Sequence, residues 1–227
     1  MIHSVKSVLA EMKKTADPGR LDGMARYGIN IERRLGLKMP EIRAMAKKIG
    51  RDHDLALGLW ASEIHEARIL APMLAQPAKV DGALMDHWVA GFDSWDICDQ
   101  CCMNLFRRLP LAWDKVAAWA PREEEFVRRA AFALIATLSV HEKAEPDARF
   151  IALLSLIEAH SDDNRNFVRK AVNWALRQIG KRNQALNGEA IRAAERILAR
   201  DTRAARWIAK DALRELRDRK TRMRLKA

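Results

Sequence analysis

The chain has 227 residues, 49% of them hydrophobic and 31% charged, which is enough apolar material for a sizeable core and too much for a disordered polymer. Lys and Arg number 41 against 30 Asp and Glu, a formal net charge of +11 that points to a polyanionic partner, nucleic acid foremost. No stretch approaches the roughly 18 consecutive apolar residues of a membrane span, and Met1-Ile2-His3-Ser4-Val5-Lys6 opens an amphipathic helix without a secretory apolar region, so a cytoplasmic protein is expected.

Taken in chain order, apolar residues recur at helical spacing almost throughout, and alternating β-branched runs are missing, which predicts an all-α chain. Breaks are expected at Asp17-Pro18-Gly19, Lys38-Met39-Pro40, Gln76-Pro77, Gly91-Phe92-Asp93, Leu109-Pro110, Ala120-Pro121, Glu145-Pro146, Ser161-Asp162-Asp163, Gly180 and Asn187-Gly188. They leave helices of ordinary length, and no long linker divides residues 1–227, so a single domain is expected.

Early in the chain, Arg33-Arg34, Lys38, Arg43, Lys47-Lys48 and Arg51 gather enough charge for a phosphate-binding patch, although such runs are more often solvated helix faces. Next comes Ser94-Trp95-Asp96-Ile97-Cys98-Asp99. Trp95 and Asp99 stand four residues apart, on one side of a helix, where a π face and a carboxylate together suit a cation. Asp96 follows Asp93 and Ser94, either of which can cap the helix, and its charge is expected to complement the helix N-terminus, outside any catalysis. Cys98, Cys101 and Cys102 are odd in number and lack a second pair or a nearby His, so they read as core thiols and not as a disulfide framework or zinc site.

An internal repeat follows. Phe126-Val127-Arg128-Arg129-Ala130 returns 41 residues later as Phe167-Val168-Arg169-Lys170-Ala171, and more weakly 40 residues after that as Trp207-Ile208-Ala209-Lys210-Asp211. This period belongs to HEAT and armadillo repeats, and the expected fold is a curved α-solenoid of HEAT-like helical repeats. The aromatic and β-branched pair should enter the inter-repeat core, with Arg128, Arg129, Arg169 and Lys170 beside it as recurring cations for a duplex backbone. Trp60, Trp88, Trp113, Trp119 and Trp207 read as packing residues. From about Arg214 the chain carries seven basic and two acidic residues to Lys226, expected to fray from a helix into a basic tail that strengthens nonspecific DNA binding.

Four segments in order, Met24-Ala25-Arg26-Tyr27, Ser94 to Asp99, Val127-Arg128-Arg129-Ala130-Ala131 and Phe167 to Arg177, resemble the AlkD-type DNA alkylation repair glycosylases, a HEAT-like repeat family. The resemblance covers most of the chain. It implies hydrolysis of the N-glycosidic bond of cationic N3- and N7-alkylated purines in double-stranded DNA, without metal or organic cofactor, and with the lesion left stacked where most base-modifying enzymes flip it out. Trp95 and Trp174 would flank the damaged nucleotide, Asp99 would lie beside its deoxyribose, and Arg129 would hold the backbone, with Arg128 the alternative for that role. Tyr27, Arg169, Lys170 and Arg177 would make further DNA contacts. A monomer associated with the nucleoid, with no obligate protein partner, is expected.

The chemistry makes independent sense of these residue types. An alkylated purine is already cationic and a good leaving group, and its departure moves positive charge onto the sugar. A carboxylate at about 4 Å contributes about 4 kcal/mol at an effective dielectric near 20, and a desolvated indole face about 2 kcal/mol. The alternative role for Asp99 is to orient the attacking water. Two other readings stand beside this one: a noncatalytic HEAT-repeat protein that binds damaged or branched DNA, and a protein–protein scaffold, which leaves the charge and the Trp95/Asp99 pair unexplained.

Overall fold

The computed structural model describes residues 3–26 and 32–225, and every regular element among them is helical. Tyr27 and the end of its motif lie outside the described residues. The chain divides into two compact units, Met1–Pro110 and Leu111–Ala227.

The first unit holds α1 (Val5–Lys14), α2 (Leu21–Ala25), α3 (Met39–Ile49), α4 (His53–Ala61), α5 (His65–Leu74), α6 (Gly82–Ala90) and α7 (Trp95–Asn104). α5 is its centre, packed against α3, α4 and α7. The reason is in its sequence: eight of its ten residues are buried, including Ala67, Ile69, Leu70 and Leu74. Trp60 and Trp88 stack with ring centroids 4.4 Å apart, and Phe92 and Phe106 close the cluster at its edges. A loop before α3 is anchored by Glu66. Its buried carboxylate accepts from the backbone N–H groups of Leu35, Gly36 and Leu37 at 2.8–3.3 Å. Gly36 sits at φ +79°, and a Cβ there would run into the Asp17 carbonyl.

Of the early basic run, Lys38 and Arg43 stay exposed while others meet protein groups. Arg34 is turned inward and buried, Arg33 pairs with Glu63, Arg51 donates to the Ala75 carbonyl at 2.5 Å, and Lys48 pairs with Glu11 at 2.9 Å.

The second unit holds α8 (Ala112–Trp119), α9 (Glu125–His141), α10 (Asp147–Ala159), α11 (Asn166–Gly180), α12 (Gln184–Ala199), α13 (Arg203–Leu216) and the short α14 (Arg219–Arg222). Helices pair in sequence, α8 with α9 and α12 with α13, while α9, α11 and α13 pack side by side and α10 lies on α12, the layering of a HEAT-like repeat. The core is small and aliphatic: Ala130, Ala131, Phe132, Ala133, Leu134 and Ile135 make a fully buried run on α9. Close approach is literal at Gly180, where a Cβ would stand 2.6 Å from Leu216 Cδ2 and 2.8 Å from Ala190 Cβ.

Asn187-Gly188 is not a break. Both residues lie inside α12, and the physical reason is that the Asn187 side chain points into the unit, donating to the carbonyls of Gly180 at 2.9 Å and Leu216 at 3.3 Å. One buried amide thereby serves the C-terminal ends of two neighbouring helices. Gly188 beside it has no such duty, since a Cβ there meets only the tip of Arg192 at 3.6 Å. Gly188→Ala is therefore expected to stabilise the protein by about 0.5–1 kcal/mol, read as an upward shift of the urea midpoint at unchanged slope. The C-terminal stretch also differs from expectation. α13 continues through Leu216, and Asp218 then caps one further turn by accepting from Thr221 N at 3.1 Å, so regular structure extends well past Arg214.

Candidate active site and nucleic-acid interface

In the first unit, Trp95 and Asp99 occupy the first and fifth positions of α7, one turn apart on one face of the helix. Asp99 is 9% exposed and Trp95 half-buried, so the pair sits where water is largely, though not wholly, excluded. The carboxylate's field is felt nearby. Burial first, then the neighbouring Cys98 and the charge of Asp99, push the Cys102 thiol well above its ordinary value. Burial likewise raises Cys101, so these thiols stay protonated and behave as small core residues.

The other acid of α7 has a different environment. Asp96 Oδ2 lies 3.0 Å from Arg34 Nη2 and 2.9 Å from His65 Nε2, while the Ser94 hydroxyl donates to its second oxygen. Burial alone would raise this carboxyl, but the hydrogen bonds and charge from His65, Ser94 and Arg34 hold it far below the ordinary carboxylate range. Asp96 serves the helix start as expected, accepting from Ile97 N at 3.1 Å, and is at the same time tied to a buried ion cluster joining the loop before α3, α5 and α7. Ser94, at the N-cap position, spends its hydroxyl on Asp96 instead of on a backbone N–H.

The remaining site candidates are in the second unit. Arg128 is engaged on every side: its guanidinium donates to the carbonyls of Ala120 and Pro121 and pairs with Asp163 at 2.8 Å and Glu123 at 3.2 Å. Burial alone would raise Asp163, yet Arg165 and Arg128 hold it at about 2. Arg129 is buried and donates Nη1 to the Phe167 carbonyl at 2.6 Å, linking α9 to the first turn of α11.

On α11, Lys170, Trp174 and Arg177 follow one another at spacings of four and three and share a face. Lys170 is exposed and Trp174 half-buried. With its amide oxygen turned toward Trp174, Gln178 accepts from the indole Nε1 at 3.2 Å and from Lys181 Nζ at 3.3 Å, which fixes the edge of the ring. Arg177 and Lys181 both reach Glu215 of α13, at 2.5 and 2.7 Å, and Asn173 donates to Asp211 at 2.7 Å. Glu215 is shifted below its ordinary value, because Lys181 and Arg177 outweigh the burial that would raise it. These acids on α13 orient the cations of α11, a supporting set that composition and the Trp/Asp motif did not reveal. A signal existed: Asn173–Asp211, Arg177–Glu215 and Arg129–Phe167 are each 38 residues apart, close to the repeat period. Arg169 covers the ring of Trp207 from 4.7 Å.

A family model described as DNA alkylation repair enzyme matches residues 8–216, nearly the whole chain and all the site candidates. The chain belongs to this family. A solved structure described as "a new family of proteins related to the HEAT-like repeat DNA glycosylases with affinity for branched DNA structures" superposes with a TM-score of 0.79 over 99% of this chain and 97% of that one, at 18% identity. At that identity the likeness establishes the HEAT-like fold. No curated protein sequence matches the chain. Among the described residues no helix is long and apolar enough to cross a membrane. Within the DNA alkylation repair family, then, this chain places a Trp and a carboxylate one turn apart on α7 and a Lys-Trp-Arg face on α11.

Proposed function

We propose that this member of the family is a DNA glycosylase that hydrolyses the N-glycosidic bond of cationic N3- and N7-alkylated purines in duplex DNA. The observation that carries the reading is Asp99, a largely buried carboxylate one turn from Trp95, in a chain of net charge +11. A protein that only grips phosphates gains nothing from an acid beside its partner, whereas a sugar developing oxocarbenium character gains directly. Alkylation has already made the base a leaving group, so the reaction needs neither a general acid nor a metal. What it needs is stabilised positive charge on the sugar and a water: Asp99 and the Trp95 face supply the first, and orienting the second is the alternative role for Asp99. Lys170, Trp174 and Arg177 on α11 engage the DNA, and Arg129 acts mainly through the α11 backbone it holds, in keeping with its buried bond to Phe167.

The second reading is a noncatalytic protein that binds damaged or branched DNA. It is favoured by the description of the solved relative, by its affinity for branched DNA, and by the way Arg128 spends its guanidinium on protein groups. Release of free 7-methylguanine and 3-methyladenine from methylated duplex DNA separates the two. The glycosylase releases both. Salt-dependent DNA binding with neither base released would leave the structural DNA-binding reading in its place.

A further inference from the structure

Of the three related aromatic positions, Phe126 and Phe167 pack against each other between α9 and α11, whereas Trp207 stays outside the core. Their β-branched neighbours Val127, Val168 and Ile208 are buried, but Phe126 and Phe167 are only half-buried, with rings 5.6 Å apart, and Trp207 is 37% exposed. α13 does not need the indole for packing, because Ala204, Ala205, Ile208, Ala209, Ala212 and Leu216 already fill its inner face. Instead Trp207 borders a groove of about 460 Å³ formed with Arg206, Lys210, Asp211 and Arg214. Arg206, Lys210 and Arg214 recur every four residues and so form one cationic stripe along the helix. The Arg169 guanidinium stands over the indole, which steadies the ring, and its buried Nε has no hydrogen-bond partner among the described residues.

We infer that the Trp207 groove is a stacking site for an unpaired nucleobase of DNA, with Arg206, Lys210 and Arg214 taking the phosphates of that strand. The inference rests on the DNA-binding part of the function proposed above and adds a second kind of contact to it. Charge complementarity selects a polyanion. The aromatic plane selects a base whose face is free, because inside an intact duplex both faces of every base are already covered by stacking. Asp211 does not spoil the stripe: Asn173 and Arg177 hold it from α11, and the Arg214 side chain that also pairs with it is 80% exposed, so a phosphate competes for that guanidinium. Asp201, which pairs with Arg206 at 2.5 Å, is well exposed and easily displaced by a phosphate.

The test compares an unmodified blunt duplex, the same duplex with short oligothymidine tails, and the same tails made abasic, titrated against the 227-residue chain. Wild type is expected to bind the tailed duplex roughly tenfold more tightly than either of the others. Trp207→Ala should lose that gain while binding the blunt duplex like wild type, and Trp207→Phe, which keeps a π face and the fold, should retain most of it. Equal affinity of wild type for base-bearing and abasic tails, or a gain unaffected by Trp207→Ala, overturns the stacking site while leaving duplex binding intact. Failure of wild type to bind even the blunt duplex overturns the DNA-binding reading as well.

Discussion

Asp99→Asn is expected to lower excision of 7-methylguanine from duplex DNA by roughly a hundred- to a thousandfold while DNA affinity stays level or rises. The size follows from charge. At about 4 Å and an effective dielectric near 20 a carboxylate stabilises a full cation by about 4 kcal/mol, and each 1.36 kcal/mol is tenfold in rate. The ground-state lesion is also a cation, so only the part gained as charge moves from base to sugar counts, which trims the effect below the full value. Asn keeps the volume and one carbonyl oxygen but lacks the charge. Affinity should not fall, because removing an anion from the surface that meets a polyanion relieves repulsion. Single-turnover excision and equilibrium binding on the same lesion-bearing duplex read the two effects separately. A variant that excises at the wild-type rate would remove Asp99 from the chemistry.

The sequence carried the architecture further than the details of the site. Helical periodicity and the 41-residue return of Phe-Val-Arg were enough for stacked helical repeats, because every repeat must solve the same packing problem with similar residues. Trp95 and Asp99 were legible as a pair because they are one turn apart on one helix, a relation that spacing alone defines. What spacing does not define is where a long side chain ends. Arg34 and Arg128 look like surface cations in sequence, yet each is drawn into a carboxylate from a distant segment, Asp96 and Asp163, and neither partner follows from local pattern. Asn187-Gly188 carried the ordinary signature of a turn, and the structure overrode it by giving the Asn187 amide two carbonyls to satisfy inside the unit. Trp207 is the reverse case. Its residue type argued for the interior, and only the completed inner face of α13 shows that the indole is left outside.

Asp96→Asn should cost the fold about 2–4 kcal/mol at neutral pH, the second large effect. Arg34 has a side chain 1% exposed, and its guanidinium meets Asp96 at 3.0 Å beside the ring of His65. Removing one partner of such a pair leaves a charge in a poorly solvated place, which typically costs 3–5 kcal/mol. The Asp96 side chain is 16% exposed, so some solvent reaches it and the expected cost is set about 1 kcal/mol below that range. The pH dependence has a definite sign. Because its partners depress this carboxyl when folded, Asp96 contributes its stabilisation above the unfolded carboxylate value of about 3.9, and the contribution drains away as pH falls below it toward the lower folded value. Urea midpoints measured from pH 7 down to pH 3 should therefore drop more steeply for wild type than for Asp96→Asn, and the two curves should draw together at the acid end. Parallel curves would mean that the Arg34–His65–Asp96 cluster is not what couples folding to acid. A midpoint unchanged at pH 7 would mean that Arg34 finds compensation elsewhere when Asp96 loses its charge.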